Sequence, residues 1–347
     1  MDRITLGRSD LTVSRLCLGS MGWGSRNTEA EGHAQLSRAL DGGINFVDTA
    51  EMYPTYPVKP ETVGRTEEII GTWCAATGNR DRIVLATKVS STRQKAARGG
   101  EGYSGKTLPA TVAASLKRLQ TDVIDLYQLH FPARPTYHMR ANWGYDPSGL
   151  DRVAVEAHML DVIEGMAGQI RAGTIRHWGL SNETAWGAAA WLRLARANGL
   201  PAPVTIQNEY SLLCRLADTD LAELCCAEDL PMLPFSPLGM GLLSGKYAGD
   251  VTPPGTRRAV EPTLNGRVNP KVWGAVDGYL ALAKEAGMDP SAMALAWTLS
   301  RPFVAAPIFG ATTMDQLETA LGAASLSLPP DLLAAIDAVN RAHPMPY

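Results

Sequence analysis

The stretch from Asn45 to Tyr53 reads Asn-Phe-Val-Asp-Thr-Ala-Glu-Met-Tyr, an apolar segment that runs directly into an acid and a phenol five residues apart. This pattern predicts a strand that ends in reactive groups. Two later stretches have the same arrangement, because Ile83–Thr87 leads into Lys88 and Ile124–Leu129 leads into His130. If the three strands are parallel neighbours in a barrel, their carboxyl ends meet on the face where such barrels keep their active sites. One pocket is then predicted to be surrounded by Asp48, Tyr53, Lys88 and His130.

Strand-like and helix-like segments alternate along the rest of the chain. The predicted strands are Leu16–Leu18, Asn45–Val47, Ile83–Thr87, Ile124–Leu129, Ile175–Leu180, Val204–Gln207, Met232–Phe235 and Val304–Phe309. The predicted helices are Glu29–Leu40, Thr66–Ala76, Leu108–Leu119, Val155–Ala172, Ala185–Ala197, Asp218–Glu228, Met314–Ala323 and a terminal Asp331–Val339, with a long glycine-rich stretch after Met232–Phe235. Alternation at this spacing predicts parallel strands with helical crossovers, and eight units close an α/β (β/α)8 TIM barrel.

The N-terminal residues predict a hairpin at one end of this barrel. Ile4-Thr5-Leu6 and Leu11-Thr12-Val13 alternate around the turn residues 7–10. A doubly wound open sheet is the alternative fold, but the glycines that follow the first strand do not extend to G-x-G-x-x-G. The length of 347 residues allows two domains, or one barrel of roughly 250 residues with insertions. We predict one barrel domain over residues 1–347.

Composition excludes several classes of protein. A hydrophobic fraction of 45% with 19% charged residues can bury a large core, so disorder is not expected. The net charge of −3 and the absence of a large basic cluster argue against nucleic acid or an anionic membrane as a partner. The five cysteines lack metal-ligand spacing, and the N-terminus lacks an apolar signal region. We therefore expect reduced thiols and a cytoplasmic location.

Two connections are longer than typical loops, and both follow strands that end in candidate catalytic residues. They run from Val89 to Lys106 and from Phe131 to about Arg152. They are predicted to lie over the pocket and to select the substrate, with Trp143 and Tyr145 as leading candidates. Trp23, in the first loop after a strand, is predicted to form a further wall. A contact in a homo-oligomer or an ordered lid is the alternative role for these loops.

The four candidate residues support proton transfer to an oxygen. A tyrosine with a pKa near 10 is a poor acid at neutral pH, but a nearby ammonium such as Lys88 lowers that pKa. Asp48 can hold Lys88 in place, and His130 can donate to a bound carbonyl oxygen. The site has no electron source of its own, so a hydride carrier is implied. Metal-assisted hydrolysis is the competing chemistry, but it needs several ligands at strand ends and only His130 qualifies clearly.

Together these motifs resemble the aldo-keto reductase superfamily, and they lie in the family's order from Leu6 to about Leu328. The resemblance is greatest to its bacterial Tas-like branch, which is related to the potassium-channel beta subunits. The stretches that carry it are Asp48–Tyr53, the strand that ends in Lys88, Tyr127–His130, Ile175–Asn182 and Gln207–Leu213.

The resemblance implies an NADPH-dependent reductase of a small-molecule carbonyl substrate. Tyr53 becomes the general acid, Lys88 and Asp48 tune it, and His130 polarises the carbonyl. Ser181, Asn182 and Gln207 correspond to the residues that hold the nicotinamide carboxamide in the family, and Phe235 corresponds to the aromatic residue that stacks on the nicotinamide ring. The loop that wraps the pyrophosphate corresponds to Ser236, Pro237, Leu238, Gly239, Gly241 and Leu242, whose glycines allow close approach of backbone N–H groups.

The adenosine end differs from the commonest pattern of the family. The family's frequent basic residue is absent at Gly310, and Gln316 stands where many members have arginine. Thr312 or Thr313 is a candidate hydroxyl donor. Lys246 and Arg257 match the basic positions that serve the 2′-phosphate in the channel-subunit branch. A solvated arginine in a loop is the alternative for Arg257. At the level of function, a cofactor-sensing regulatory subunit with slow turnover is the alternative to an efficient reductase.

Overall fold

A central sheet of seven parallel strands organises the computed structural model, which describes residues 1–347. The strands of the chain are β1 (Arg3–Thr5), β2 (Thr12–Ser14), β3 (Cys17–Gly19), β4 (Phe46–Asp48), β5 (Val84–Val89), β6 (Ile124–Leu129), β7 (Ile175–Ser181), β8 (Ile206–Gln207) and β9 (Ile308–Phe309). Their order in the sheet is β8-β7-β6-β5-β4-β3-β9, so strands that follow each other in sequence are neighbours in space. This order is the one expected of a barrel rather than of a doubly wound sheet.

The segment Met232–Phe235 occupies the eighth position, between the two edge strands. Met232 forms parallel bridges with Ile206 on one side and Val304 on the other, and Phe235 does the same with Glu209 and Ile308. The sheet is thereby curled into a ring. The predicted TIM-barrel fold is confirmed.

The predicted N-terminal hairpin is confirmed, and it covers the amino-terminal end of the barrel. β1 pairs with β2 in antiparallel register, with Ile4 opposite Val13. Leu6 and Leu11 are buried in one apolar cluster with interior residues such as Phe46 of β4. Because the hairpin seals this end, the open end is the carboxyl end of the strands, where the candidate residues lie.

Eleven α-helices accompany the strands. They are α1 (Glu29–Asp41), α2 (Arg65–Thr77), α3 (Leu108–Leu119), α4 (Arg152–Arg171), α5 (Ala185–Ala197), α6 (Asp220–Glu228), α7 (Arg257–Val260), α8 (Val272–Glu285), α9 (Pro290–Leu299), α10 (Met314–Ala323) and α11 (Pro330–Ala342). The predicted helices lie within a few residues of these bounds. α1 begins with a capping box, in which Thr28 and Glu31 satisfy each other's backbone N–H groups.

The prediction of a long glycine-rich stretch after Phe235 was wrong for its second half, which forms α8 and α9. Two glycines of α8 lie close to α11 and to His343, the residue that directly follows it. A Cβ atom at Gly274 would lie 2.6 Å from the His343 ring, and one at Gly278 would lie 3.0 Å from Val339. These glycines lie at a helix contact where a side chain would clash, and they do not interrupt the helix.

None of the helices combines the length and the apolar character that spanning a lipid bilayer requires. All five cysteines are free thiols, of which Cys17, Cys74 and Cys225 are buried.

Candidate active site

Three neighbouring strands bring the acid, the lysine and the histidine together at the open end of the barrel. Asp48 ends β4, Lys88 lies in β5, and His130 directly follows β6. The parallel register places Asp48 opposite Ala86 and Val89 opposite Leu129, which aligns the strand ends. Tyr53 reaches the same place from the loop after β4. The structure therefore brings together all four residues that the sequence predicted.

Lys88 is the centre of this cluster and is fully buried. Its Nζ atom donates to Asp48 Oδ2 at 2.5 Å, to the Thr49 carbonyl at 2.8 Å and to the Tyr53 hydroxyl at 3.5 Å. An ammonium group has three protons, so all of them have acceptors. Because Tyr53 accepts from Lys88, its own hydroxyl proton is available to a molecule in the pocket.

Burial and charge compete in setting the acidity of these groups. Burial is the largest single effect and lowers the pKa of Lys88, but Asp48 and Tyr53 together raise it by more, so the pKa of Lys88 is raised and the side chain is a cation. Burial raises the pKa of Tyr53 above its ordinary 10.0, whereas Lys88 acts in the lowering direction. The expected net lowering of the Tyr53 pKa is thus wrong for this structure. Lys88 limits the rise in the pKa of Tyr53, and Tyr53 is a protonated phenol at neutral pH.

His130 is neutral and lies edge-on to the phenol. The ring centroids of Tyr53 and His130 are 5.7 Å apart with an interplanar angle of 79°. Burial, followed by the Lys88 ammonium, holds the pKa of His130 well below its ordinary 6.5. Its Nδ1 atom is buried without a hydrogen-bond partner. A neutral imidazole with no acceptor beside Nδ1 favours the tautomer with its proton on Nε2, which can donate to a bound oxygen.

The neutral His130 should give the stability of the protein a specific pH dependence. The unfolded chain takes up a proton at His130 below about pH 6.5, whereas the folded chain does not, so unfolding becomes more favourable as the pH falls. We expect the unfolding free energy of the wild type to decrease below pH 6.5 more steeply than that of His130→Gln, by up to about 1.4 kcal/mol per pH unit. Urea denaturation at pH 7, 6 and 5 measures this difference. Parallel curves for the two proteins would contradict the prediction, because they would show that folding does not change the pKa of His130.

The predicted carboxamide-binding residues lie beside the four-residue cluster. Ser181 Oγ donates to the Gln207 carbonyl at 2.8 Å, and Asn182 Nδ2 donates to the His130 carbonyl at 2.9 Å. Gln207 Nε2 donates to Asp48 Oδ1 at 2.9 Å. Phe235 is half-buried on the eighth segment, where its backbone N–H donates to the Asn208 carbonyl. Hydrogen bonds therefore join Asn182 and Gln207 directly to the catalytic candidates, and Ser181 to Gln207.

The predicted pyrophosphate loop, Ser236–Leu242, has an unusual backbone. Ser236, Gly239, Met240 and Gly241 all have positive φ angles. At Gly241 (φ +99°), a Cβ atom would lie 2.6 Å from Cε of Lys246. The positive φ angle of Gly241 favours glycine at this position, and the absence of a side chain there leaves room for the Lys246 chain to lie against the turn.

Three cations without carboxylate partners lie beyond this loop. Lys246, Arg257 and Arg26 form no salt bridge, whereas neighbouring Arg258 is paired with Asp250. Burial lowers the pKa of Lys246, and Arg257 and Arg26 lower it further. Burial also lowers the pKa of Arg257. Mutual repulsion without a counter-charge is the electrostatic character of an anion site, which a bound phosphate would relieve.

The first loop after β3 connects this cationic group to the predicted adenosine end. Arg26 Nη2 donates to the Gly255 carbonyl at 2.8 Å, and Asn27 Nδ2 donates to the Thr312 carbonyl at 2.9 Å. Gln316 Oε1 accepts from the Thr312 N–H at 2.8 Å, so its amide is held at the start of α10. Gly310, just before this segment, is exposed.

Trp23 is not placed as a substrate wall, which corrects the prediction from the sequence. Its side chain is 1% exposed, and Nε1 donates to Gln35 Oε1 of α1 at 2.9 Å. A Cβ atom at Gly32 of the same helix would lie 3.2 Å from the indole ring. The indole is therefore packed into the core against α1, because its only N–H group finds an acceptor there.

Trp143 and Tyr145 have different surroundings in the loop after β6. Trp143 is 63% exposed, with Lys271 Nζ 5.3 Å from its ring centroid. Tyr145 stacks edge-on with Tyr137 at 6.1 Å and lines a cavity of about 430 Å³ between its loop, α4 and α5. None of the four catalytic candidates lines this cavity. A substrate-binding role for the two rings stays a prediction.

Three residues near the site were missed from the sequence. Arg26 is one of the free cations, and Tyr56 lies beneath Arg257, whose guanidinium carbon is 5.0 Å from the ring centroid. Gln128 is buried and donates to Asp48 Oδ1 at 3.1 Å. The sequence did contain a signal for Gln128. Alternate residues of a strand face the same side, so the residue two positions before His130 is expected to face the site. No local pattern indicated the other two.

Comparison with known proteins is consistent with this arrangement. The sequence pattern of the aldo/keto reductase family matches residues 15–341. The chain is 43% identical over 341 residues to protein Tas of Escherichia coli, covering 97% of both chains. It is 30% identical over 335 residues to the norsolorinic acid reductase stcV of Emericella nidulans, covering 92% of this chain and 77% of that one. It is 29% identical over 347 residues to a probable voltage-gated potassium channel subunit beta of Oryza sativa, covering 98% and 96%.

Proposed function

The chain belongs to the aldo/keto reductase family of oxidoreductases, and on this premise we propose that it uses NADPH to reduce an aldehyde or ketone to an alcohol. The observation that supports this most strongly is the hydrogen bond that Lys88 donates to the Tyr53 hydroxyl. It leaves the phenol proton free at the open end of the barrel, beside a neutral histidine. In such a pair, the phenol can protonate a bound oxygen while the histidine N–H group stabilises the negative charge that develops on it.

Each of the four residues has a defined task in this proposal. Bound NADPH supplies a hydride to the carbonyl carbon. Tyr53 gives its hydroxyl proton to the carbonyl oxygen as negative charge develops there. Lys88, held by Asp48, stabilises the phenolate that Tyr53 becomes, and the Nε2–H group of His130 donates to the same oxygen.

The residues around the pocket fit the parts of a phosphorylated dinucleotide. We propose that Ser181, Asn182 and Gln207 hold the carboxamide and that Phe235 stacks on the nicotinamide ring. When the cofactor is bound, the Ser236–Leu242 loop would hold the pyrophosphate, and Gly310, Thr312 and Gln316 would contact the adenosine. The support for a 2′-phosphate rather than a hydroxyl is the unpaired charge of Lys246, Arg257 and Arg26, since arginine binds phosphate oxygens in bidentate geometry.

The reaction can be tested by following NADPH absorbance after the protein is mixed with a panel of aldehydes and ketones. Multiple turnovers with at least one carbonyl compound are expected, with alcohol as the product. A single, slow oxidation of bound NADPH would favour the alternative, a cofactor-sensing regulatory subunit. That alternative is suggested by the relative from Oryza sativa, whose name is that of a channel subunit.

Arg257 gives a direct test of the choice between NADPH and NADH. Arg257→Ala removes a cation that has no carboxylate partner in the chain, so a bound 2′-phosphate would lose a charge-assisted hydrogen bond. We expect NADPH to bind about 30-fold more weakly and NADH to be affected about twofold at most. Fluorescence titration with both cofactors measures the ratio.

Arg258→Ala is the matched control for this experiment. Arg258 is adjacent in sequence and is ion-paired with Asp250. Its removal is expected to lower stability but to leave the ratio of NADPH to NADH affinity unchanged. Equal weakening of both cofactors by Arg257→Ala would remove Arg257 from the phosphate site and assign it to loop structure.

The rest of the proposal concerns the substrate, the oligomeric state and the cellular location. We propose a small-molecule carbonyl substrate selected by the loops after β5 and β6, with Trp143 and Tyr145 as candidate contacts. The alternative role for these two rings is a contact between copies of the chain in a homo-oligomer. The five free thiols support the reducing cytoplasm as the location.

A further inference from the structure

Gln128 is a buried polar residue inside the barrel to which the proposed reaction gives no task. It lies in β6, two residues before His130, and its side chain is fully buried. Its Nε2 atom donates to Asp48 Oδ1 at 3.1 Å, and its Oε1 atom accepts from Gln207 Nε2 at 3.0 Å. Both ends of this amide are therefore engaged by residues of the site.

The same contacts close a ring of three side chains from three strands. Gln207 Nε2 donates one proton to Gln128 and the other to Asp48 Oδ1, at 2.9 Å. An ionised carboxylate only accepts hydrogen bonds, so both glutamines must turn their NH2 groups toward Asp48. Gln128 then has its oxygen free to accept from Gln207, and the ring has one self-consistent arrangement.

This arrangement leaves one acceptor open. Both protons of the Gln207 amide are used inside the ring, whereas its Oε1 atom has no partner in the chain. Without Gln128, the Gln207 amide would be held by Asp48 alone. Its free NH proton would then lack an acceptor, and the amide would be less well fixed.

We propose that Gln128 is a positioning residue that locks the Gln207 amide with its oxygen directed at the carboxamide NH2 of the nicotinamide cofactor, and that it couples this contact to the Asp48–Lys88 pair. The inference rests on the proposed function, because it assigns the open Gln207 oxygen to that cofactor. Gln128 touches neither the cofactor nor the reacting atoms in this account. It acts through Gln207 and Asp48.

A double-mutant cycle on NADPH binding tests the coupling without any turnover. Gln128→Met keeps a similar length but removes both hydrogen-bonding groups, and it should weaken NADPH binding about fivefold, the equivalent of about one hydrogen bond. Gln207→Met should weaken binding about tenfold. In the double variant, the second substitution should add less than about twofold, because Gln128 acts through Gln207.

Gln128→Glu provides a signature that a purely structural role would not produce. A protonated glutamic acid can donate to Asp48 and accept from Gln207, as glutamine does, whereas an ionised one would repel Asp48. NADPH affinity of this variant should be near the wild-type value at low pH and fall about tenfold as the pH rises. The midpoint should lie above the ordinary glutamate value of about 4.3, because a carboxylate lies beside it.

Gln35→Met is the matched control, because Gln35 is another buried glutamine that bonds a core side chain, Trp23. It should leave NADPH binding and its pH dependence unchanged. Multiplicative effects in the cycle, or a Gln128→Glu variant with the pH dependence of the wild type, would overturn the proposal. A wild type that binds NADPH but turns over no carbonyl compound would refute the proposed reaction only, since the binding cycle would still decide the role of Gln128. A wild type that binds no nicotinamide cofactor would refute both.

Discussion

Tyr53→Phe is expected to lower kcat for carbonyl reduction by about 10³-fold while leaving NADPH affinity within about twofold of the wild type. The substitution removes only the hydroxyl that accepts from Lys88 and provides the proton. The ring, which lies edge-on to His130, remains. Steady-state kinetics with the best carbonyl compound of the panel and a fluorescence titration with NADPH measure the two quantities.

Tyr127→Phe is the control for loss of a buried hydroxyl. Tyr127 lies in β6, and its hydroxyl donates to Thr111 Oγ1 of α3 at 3.3 Å, on the helix side of the strand. This variant should keep its kcat and lose only a little stability. If Tyr53→Phe turned over at a rate similar to the wild type, the acid would have to be another group.

Lys88→Met should cause the largest loss of stability among single substitutions in the site. Lys88 and Asp48 are 0% and 2% exposed, so removal of the ammonium leaves a buried carboxylate without its cation. Breaking such a pair typically costs about 3 to 5 kcal/mol. We expect about 3 kcal/mol here, since Gln128 and Gln207 still donate to Asp48. Urea denaturation at pH 7 measures the loss.

The same substitution should also move the pH profile of any remaining activity. Lys88 acts to lower the pKa of Tyr53, so its removal raises that pKa further and makes the phenol a weaker acid. The rate should fall about 10²-fold, and the alkaline limb of kcat, where Tyr53 loses its proton, should move to higher pH. An unchanged limb would show that Lys88 does not control the phenol.

The double variant Asp48→Asn/Lys88→Met separates stability from catalysis. It removes both charges, so the buried carboxylate that penalises Lys88→Met is gone and most of the stability should return. Activity should not return, because no cation faces the Tyr53 hydroxyl. If the double variant were as unstable as Lys88→Met, packing of the lysine chain would be the cause, rather than the unpaired charge.

The sequence alone determined the barrel and the four residues at its open end, because both depend on local patterns. Alternating apolar strands and amphipathic helices predict parallel pairing, and a reactive residue at a strand end needs only that pairing to meet its neighbours. Asp48, Lys88 and His130 were placed correctly for this reason. The hairpin was also predictable, because its register follows from the turn between two alternating segments.

Only the tertiary structure decided which residues meet across the barrel and between its loops. The ring of Asp48, Gln128 and Gln207 joins three strands that are far apart in sequence. The cations also come from distant segments, because Arg26 lies in the loop after β3, Lys246 in the stretch after the eighth segment and Arg257 at the start of α7. Trp23 lies in a loop that was predicted to line the pocket, but its N–H group donates to Gln35 of α1 and its ring packs against that helix. The sequence patterns of strands and turns describe the local backbone. They do not record the distances between distant side chains, and those distances determine pKa values, unpaired charges and the open acceptor of Gln207.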